Sequence, residues 1–382
     1  MMDYPLRITV YDKDYARVGW VNAPLEAKAT IRHNLPSTCS FVLDEDHWQV
    51  QALSTPGARV EVHYMGLDEP RRLLSGAVTP AGESGGSVGT VEFTVTDDKS
   101  LYWTLLGWPA PSLGIDHQGD EDSYYTASGT AEGVVKDLVS ANMGHVATPI
   151  TVAPNGARGE NVSVKVRMHP LADRILPAVD LAGIGLDAYQ DGAGIRVDVY
   201  QPSDLSHGPV LTEESGVVQS GTWELTPPTV TRVIVGGPGE GTAREWELVT
   251  DTAAEARWGV SIEQMRDARD VEEGAPNMTA TLRARGQEML DEGAESARVT
   301  AQLAETEHFR VGVAYWLGDI VPVQLSGAPV LSDRVRSIDF DLSADGGLVV
   351  TPHIGVDDSF ASVTTKNVAR LAAGLRDLRA SR

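Results

Sequence analysis

Gly82-Glu83-Ser84-Gly85-Gly86 spells Gly-x-Ser-x-Gly, the frame of a serine nucleophile, with His33, His47 and His63 upstream as bases. That chemistry needs a strained strand-to-helix elbow, or a His and an Asp held in a double barrel. Here alternating strand patterns flank the loop on both sides and Glu83 stands where serine proteases carry Asp, so the loop reads as a hairpin connection. Gly236-Gly237-Pro238-Gly239-Glu240-Gly241 follows a strand as phosphate loops do, but it has no Lys-Ser/Thr after it and a strand rather than a helix beyond it. It too reads as a hairpin turn. Asp116, His117, Asp120, Glu121 and Asp122 offer oxygen ligands without the spaced Asp/Asn loop of a calcium site, so they read as a solvated acidic loop. No His-Glu-x-x-His and no paired Cys supplies zinc ligands, and no carboxylate pair stands out among so many as glycosidase acid and base. Lone Cys39 alternates with Phe41 and Leu43, the setting of a small buried hydrophobe. These residues predict no enzyme, no cofactor and no metal.

The residues spaced for association lie at the end of the chain. Val368, Leu371, Leu375 and Leu378 recur at the 3, 4, 3 spacing of a coiled-coil seam. So narrow an apolar stripe has too little surface to bury alone and calls for copies of itself or a partner helix. Lys366, Arg370, Arg376, Arg379 and Arg382 stand against Asp377 alone, while the whole chain carries 54 acidic and 31 basic residues and a net charge of -23. The basic tail is either a solvated face or a docking surface for an acidic neighbour. The acidic body repels phosphates and supplies none of the counterion-releasing contacts of a nucleic-acid binder.

The chain has 382 residues, 42% hydrophobic and 22% charged, a globular balance with room for two or three domains. No apolar run reaches the roughly 18 residues of a membrane span, and the first ten residues lack the apolar stretch of a secretory signal. One cysteine suits a reducing cytoplasm.

The elements that would position these residues are mostly strands. Leu6, Ile8 and Val10 alternate, as do Ala27, Ala29 and Ile31; Cys39, Phe41 and Leu43; Val60, Val62 and Tyr64; and Val91, Phe93 and Val95. Such runs, separated by Pro, Gly and Asn, predict antiparallel β structure, with a loop from Thr79 to Thr90 joining two of them. From Leu101 the pattern changes. An aromatic, Pro-rich, acidic segment (Tyr102, Trp103, Trp108, Tyr124, Tyr125) caps the first β region or anchors an interface. Ser128 or Thr130 caps a helix with Val134, Val135, Leu138 and Val139 on its apolar face, and a second helix starts after Pro170. Leu186 and Ala188, the Asp191-Gly192 turn, then Ile195, Val197 and Val199 form a hairpin. Strands return from Gly216, with Val230–Val235 against Glu245–Val249, a helix over Asn277–Glu292, and closing strands at Val321–Leu325, Ile338–Leu342 and Leu348–Val350. Gly57-x-x-Val60-x-Val62 and Gly318-x-x-Val321-x-Val323 echo one another, each followed by another strand, a Gly-containing loop and a third strand.

The run Ile8-Thr9-Val10-Tyr11-Asp12, the aromatic stretch from Lys99 to Pro111, and the ending Tyr315-Trp316-Leu317-Gly318-Asp319-Ile320-Val321-Pro322-Val323 through Thr351-Pro352-His353-Ile354-Gly355 resemble minor tail proteins of long-tailed actinobacterial phages. These are similar to the hub proteins of contractile-tail baseplates. The resemblance spans nearly the whole chain and its motifs are structural. It implies a homotrimer with two β-barrel modules per subunit, a pseudo-sixfold ring matching the hexameric tail tube above and a threefold spike or fibre below. Distal tail protein, tube and tip protein are then the partners. DNA passes through without sequence-specific binding, and the protein is assembled in the host cytoplasm into the virion. Larger relatives carry C-terminal receptor-binding or wall-cutting extensions, an activity that a chain stopping at Arg382 leaves to a separate polypeptide.

The expected fold is therefore mainly β with an α+β insertion: a first barrel-like domain over 1–105, an α+β insert over 106–215, and a second barrel-like domain over 216–358 with a helical excursion near 277–292. An amphipathic helix over 359–382 completes it. Association falls to Val368, Leu371, Leu375 and Leu378, and docking to Arg370, Arg376 and Arg379. The rival functions are a carbohydrate-binding adhesin stacking sugars on the Tyr102–Tyr125 aromatics, and a cell-wall hydrolase.

Overall fold

A computed structural model of the chain describes residues 5–21, 24–82, 89–118, 123–271, 277–343 and 347–355. The chain divides into two compact units, residues 1–221 with 300–382, and residues 222–299.

The first unit is built on a 13-stranded sheet, two of whose strands run on across the boundaries at residues 221 and 300. In chain order its strands are β1 (Leu6–Tyr11), β2 (Arg17–Val21), β3 (Glu26–Arg32), β4 (Thr38–Asp44), β5 (Arg59–Tyr64), β6 (Arg71–Gly82), β7 (Thr90–Asp97), β8 (Leu211–Thr212), β9 (Val218–Thr226), β10 (Ser296–Leu303), β11 (Ile320–Gln324), β12 (Leu331–Leu342) and β13 (Leu348–Ile354). They run in the order β9-β10-β13-β12-β3-β4-β7-β6-β5-β1-β2, with β11 beside β12 and β8 beside β11. The mainly-β reading holds. The sheet does not close into a barrel among the described residues, and the two ends of the chain meet instead in one ladder, β3 against β12. Alternation explains the strands. Ile8, Val10, Val60, Val62, Phe41, Phe93, Val95 and Phe340 are all buried, and Phe41 stacks on Phe93 with ring centroids 5.4 Å apart.

The Gly-x-x-Val-x-Val echo is the trace of a larger repeat. β3, β4, β5, β6 and β7 lie in the spatial order β3-β4-β7-β6-β5; β9, β10, β11, β12 and β13 lie in the order β9-β10-β13-β12-β11. Each motif contains an antiparallel meander whose middle strand has 12 residues, β6 and β12. In each motif that middle strand carries a register shift against a neighbour. One difference from the sequence reading concerns β6. Thr79 to Gly82 belong to the strand, because the ladder to β7 continues through Pro80–Phe93 to Gly82–Val91. Pro80 is tolerated because Val78 N donates to Ala58 O on the side away from β7, and two residues along the strand the Pro80 nitrogen points the same way.

The α+β insert follows β7. The helix Ala131–Asn142 is capped by Thr130, whose hydroxyl accepts from Gly133 N, and it buries Val134, Val135, Leu138 and Val139. The helix Leu171–Leu181 buries Leu171, Ile175 and Val179 against the same cluster. The hairpin Gly185–Asp191 with Gly194–Tyr200 turns at Gly192, which sits at φ 59°, and Ile150–Val152 adds a parallel strand. Among the described residues no helix is long and apolar enough to cross a membrane.

The second unit is a three-stranded sheet, Trp246–Thr250, Arg232–Gly236 and Glu263–Asp267, with the helix Met278–Glu292 on one face. Leu282 and Leu290 pack there against Val233 and Val235. Gly286 allows the close approach: a Cβ on it would stand 2.5 Å from Val249 Cγ2.

Candidate assembly surface

Among the described residues, those typed for catalysis do not form a site. Ser84 lies outside the described residues. His33 is buried beneath the insert with Nδ1 2.8 Å from the Tyr200 hydroxyl. Burial, followed by the positive charges of Arg334, Arg336 and Lys99, drives its pKa down to about 2, so it stays neutral. His47 stacks on Trp48. Cys39 is 1% exposed, and burial pushes its thiol up to about 12, which removes it as a nucleophile. The loop between Arg232–Gly236 and Trp246–Thr250 is a hairpin, held by Gly237 N donating to Glu245 O and by Arg244 donating to the Gly236 and Gly237 carbonyls. Asp116 and His117 sit on a single 3-10 turn, and Asp120, Glu121 and Asp122 lie outside the described residues. Among the described residues no cluster of three His, Cys, Asp or Glu side chains is spaced to hold a metal.

The aromatic segment divides. Tyr102 is fully buried and donates its hydroxyl to Asp187 O, fixing the insert against the end of β7. Trp108 stacks on His145 with ring centroids 3.9 Å apart, and the Tyr125 hydroxyl bonds Asp137. Only Tyr124, with Arg167 over its ring, faces solvent.

A cleft of about 770 Å³ lies between the sheet, the insert hairpin and residues 312–319. Its charges are engaged with one another: Arg72 with Asp187 at 3.5 Å, and Lys99 with Asp97 at 3.4 Å. Arg71 lies over the Trp316 ring, and Asp319 accepts from Ser203 N and Trp316 N. The cleft is a polar seam that fixes the insert. Asn34, at φ 54°, ties the same seam: its amide donates to Asp180 Oδ1 and Ile184 O, and its oxygen accepts from Leu186 N.

What remains exposed is strand edge and apolar face. Val368, Leu371, Leu375 and Leu378, and with them Arg370, Arg376 and Arg379, lie outside the described residues. At one end of the sheet, β2 presents Val18 and Trp20, and Trp20 meets Trp48 edge to face at 6.4 Å. At the other end, residues 219–224 of β9 are all exposed, Trp223 among them. In β6, Ala77 and Thr79 to Ala81 are exposed, and among the described residues no strand pairs with 79–82 on the side away from β7. In the second unit Leu248, Ile234 and Met265 stand in one row across the three strands, on the face opposite the helix, with Trp246 beside them. Neither β2, β9 nor the end of β6 carried a signal in the sequence, because exposed strands show no alternation.

This is the fold of phage tail proteins. It is similar to the 43 kDa tail protein of prophage MuSo2 from Shewanella oneidensis (TM-score 0.53, 13% identity, 91% of this chain and 97% of that one). It is similar also to the prophage tail protein gp18 from Listeria monocytogenes (TM-score 0.52, 10% identity, 97% and 99%). The sequence matches the Siphovirus ReqiPepy6 Gp37-like protein family over residues 7–356, and the chain belongs to that family of siphovirus tail proteins. No curated protein sequence matches it significantly.

Proposed function

We propose that the protein is a structural, non-enzymatic subunit of the phage tail tip, a hub whose three copies match the hexameric tail tube to a threefold tip and surround the path of the DNA. The observation that carries this reading is the repeat of the five-strand motif within one chain. Two equivalent modules per chain give three chains six modules, the number a sixfold tube requires, while the insert and the chain ends keep threefold symmetry. On this reading residues 1–105 and 216–358 hold the ring modules, 106–215 decorates them, and 359–382 associates along its Val368-Leu371-Leu375-Leu378 seam. The net charge of -23 suits a conduit that phosphates pass without sticking. The partners are the distal tail protein and tube on one side and a spike or fibre on the other, within the virion. Sedimentation equilibrium of the purified protein tests the stoichiometry. Three times the 40.9 kDa chain mass supports the hub; a monomer at micromolar concentration overturns it.

A further inference from the structure

The two five-strand motifs are joined head to tail. The first strand of one motif, β3, pairs with the middle strand of the other, β12, over the rungs Arg32–Ser337, Ile31–Ile338, Thr30–Asp339, Ala29–Phe340, Lys28–Asp341 and Ala27–Leu342. β12 has room for this because β11 covers only its first half, from Leu331 to Arg334. The repeat leaves one unused head and one unused tail. The head is β9, the counterpart of β3, at the end of the sheet. The tail is the second half of β6, the counterpart of β12, beyond the stretch that β5 covers, where Thr79, Pro80 and Ala81 are exposed.

The registers fix how they would meet. Cys39–Val95 and Ala301–Ile354 are matching rungs, and stepping along each ladder makes Pro80, opposite Phe93, the counterpart of Ile338, opposite Pro352. On the other side, Glu26 stands opposite Val42 as Val217 O accepts from Ala304 N, which makes Thr222 the counterpart of Ile31. Transferring the Ile31–Ile338 rung therefore sets Thr222 of one copy against Pro80 of the next, with Trp223 against Thr79 as Arg32 stands against Ser337; the ladder stops there because Val78 N already donates to Ala58 O within the chain.

We infer that β9 of one copy adds antiparallel to residues 79–82 of β6 in a second copy, repeating between chains the junction that β3 and β12 make within the chain. The inference rests on the trimeric reading and adds the edges and the register. The contact is heterologous, so a chain of such contacts closes into a ring or runs on as a fibre, and only the same junction at every step keeps six modules equivalent. The intramolecular rung buries two isoleucines, whereas Thr222 and Pro80 are both exposed in the single chain. An interface left open until assembly needs that difference. Pro80 also removes one N–H from the open edge, which discourages indiscriminate pairing with other strands.

Two single variants, Thr222→Cys and Pro80→Cys, are mixed and treated with a short bismaleimide, Cys39 being too buried to react. Antiparallel partners place their Cβ atoms roughly 5 Å apart, within the reagent's reach. The mixture is expected to give a covalent dimer that neither variant gives alone, and the double variant a covalent trimer with no ladder beyond it. Trp223→Cys with Thr79→Cys repeats the test should either first variant fold poorly, both positions being exposed. If both pairs stay uncrosslinked while sedimentation shows a trimer, the copies meet through another surface and the inference falls, though the hub reading stands. A monomer in sedimentation removes both.

Discussion

Gly57 and Gly318 occupy the same position in the two motifs. Each takes a left-handed backbone, φ 85° and 92°, two residues before the strands β5 and β11. Neither could carry a side chain without strain, and their surroundings differ. A Cβ on Gly57 would stand 2.8 Å from Lys13 Cβ on an exposed turn, whereas one on Gly318 would stand 2.7 Å from Nδ1 of buried His33 and 3.0 Å from Pro202 Cγ.

Gly57→Ala is therefore expected to cost about 1–2 kcal/mol, the conformational penalty plus a small shift of the exposed Lys13 turn. Gly318→Ala is expected to cost more, roughly 2–3 kcal/mol, because His33 cannot retreat from the Tyr200 hydroxyl. Urea unfolding of the two variants checks the order. Equal losses would argue against the packing difference.

Asn34→Ala is expected to destabilise by about 2–4 kcal/mol, since it strands the buried Ile184 O and Leu186 N, removes the bond to the exposed Asp180, and puts alanine at a positive φ. Amide exchange should accelerate at Leu186 before the sheet itself opens. A loss under 1 kcal/mol would contradict the role of this residue as the tie between sheet and insert.

Glu132 is buried, and burial alone would raise its carboxyl. The Lys136 ammonium at 2.6 Å and the backbone N–H groups of Gly156 and Arg158 outweigh that and hold it near 2, below its ordinary 4.5. A depressed carboxylate contributes stability that is present above pH 4.5 and is lost as pH falls toward 2. The native protein should lose on the order of 3 kcal/mol across that window through this group. Glu132→Gln should be less stable at pH 7 and flatter below pH 4.5. Parallel pH profiles for the two proteins would contradict the assignment.

Arg59 and Asp98 form a buried ion pair at 2.6 Å, with Ser75 also donating to Asp98 and Arg59 Nε reaching Gln190. Arg59→Met leaves the carboxylate buried without its cation and is expected to cost roughly 3–5 kcal/mol. Arg59→Met with Asp98→Leu should cost clearly less than the sum of the two single changes. Additive losses would show that the pair is not coupled.

Leu371→Asp with Leu375→Asp places two charges in the C-terminal seam and should weaken trimer formation or partner attachment. Sedimentation of the double variant at several concentrations reads this directly. An unchanged mass would remove the seam from the assembly.

The buried parts of this fold were legible because burial on one face leaves a period of two. Leu6-Ile8-Val10 and Phe41-Leu43 announced their strands, and Thr130 and Pro170 announced their helices. β9 was not legible: Gln219, Ser220, Gly221 and Thr222 are exposed and give no alternation. Nor was the β3–β12 junction, since no local pattern links Ile31 to Ile338 across the chain. The paired glycines betrayed the repeat because a left-handed turn restricts the residue that fills it. The association residues read at the end of the sequence lie outside the described part, so the site that the structure does describe is made of strand edges.

Electron-microscope class averages of the purified protein test the central claim most directly. Viewed down its axis, the particle should be a closed ring of six similar lobes with threefold differences from the inserts around its rim. Single compact particles, or rings of another order, would contradict it.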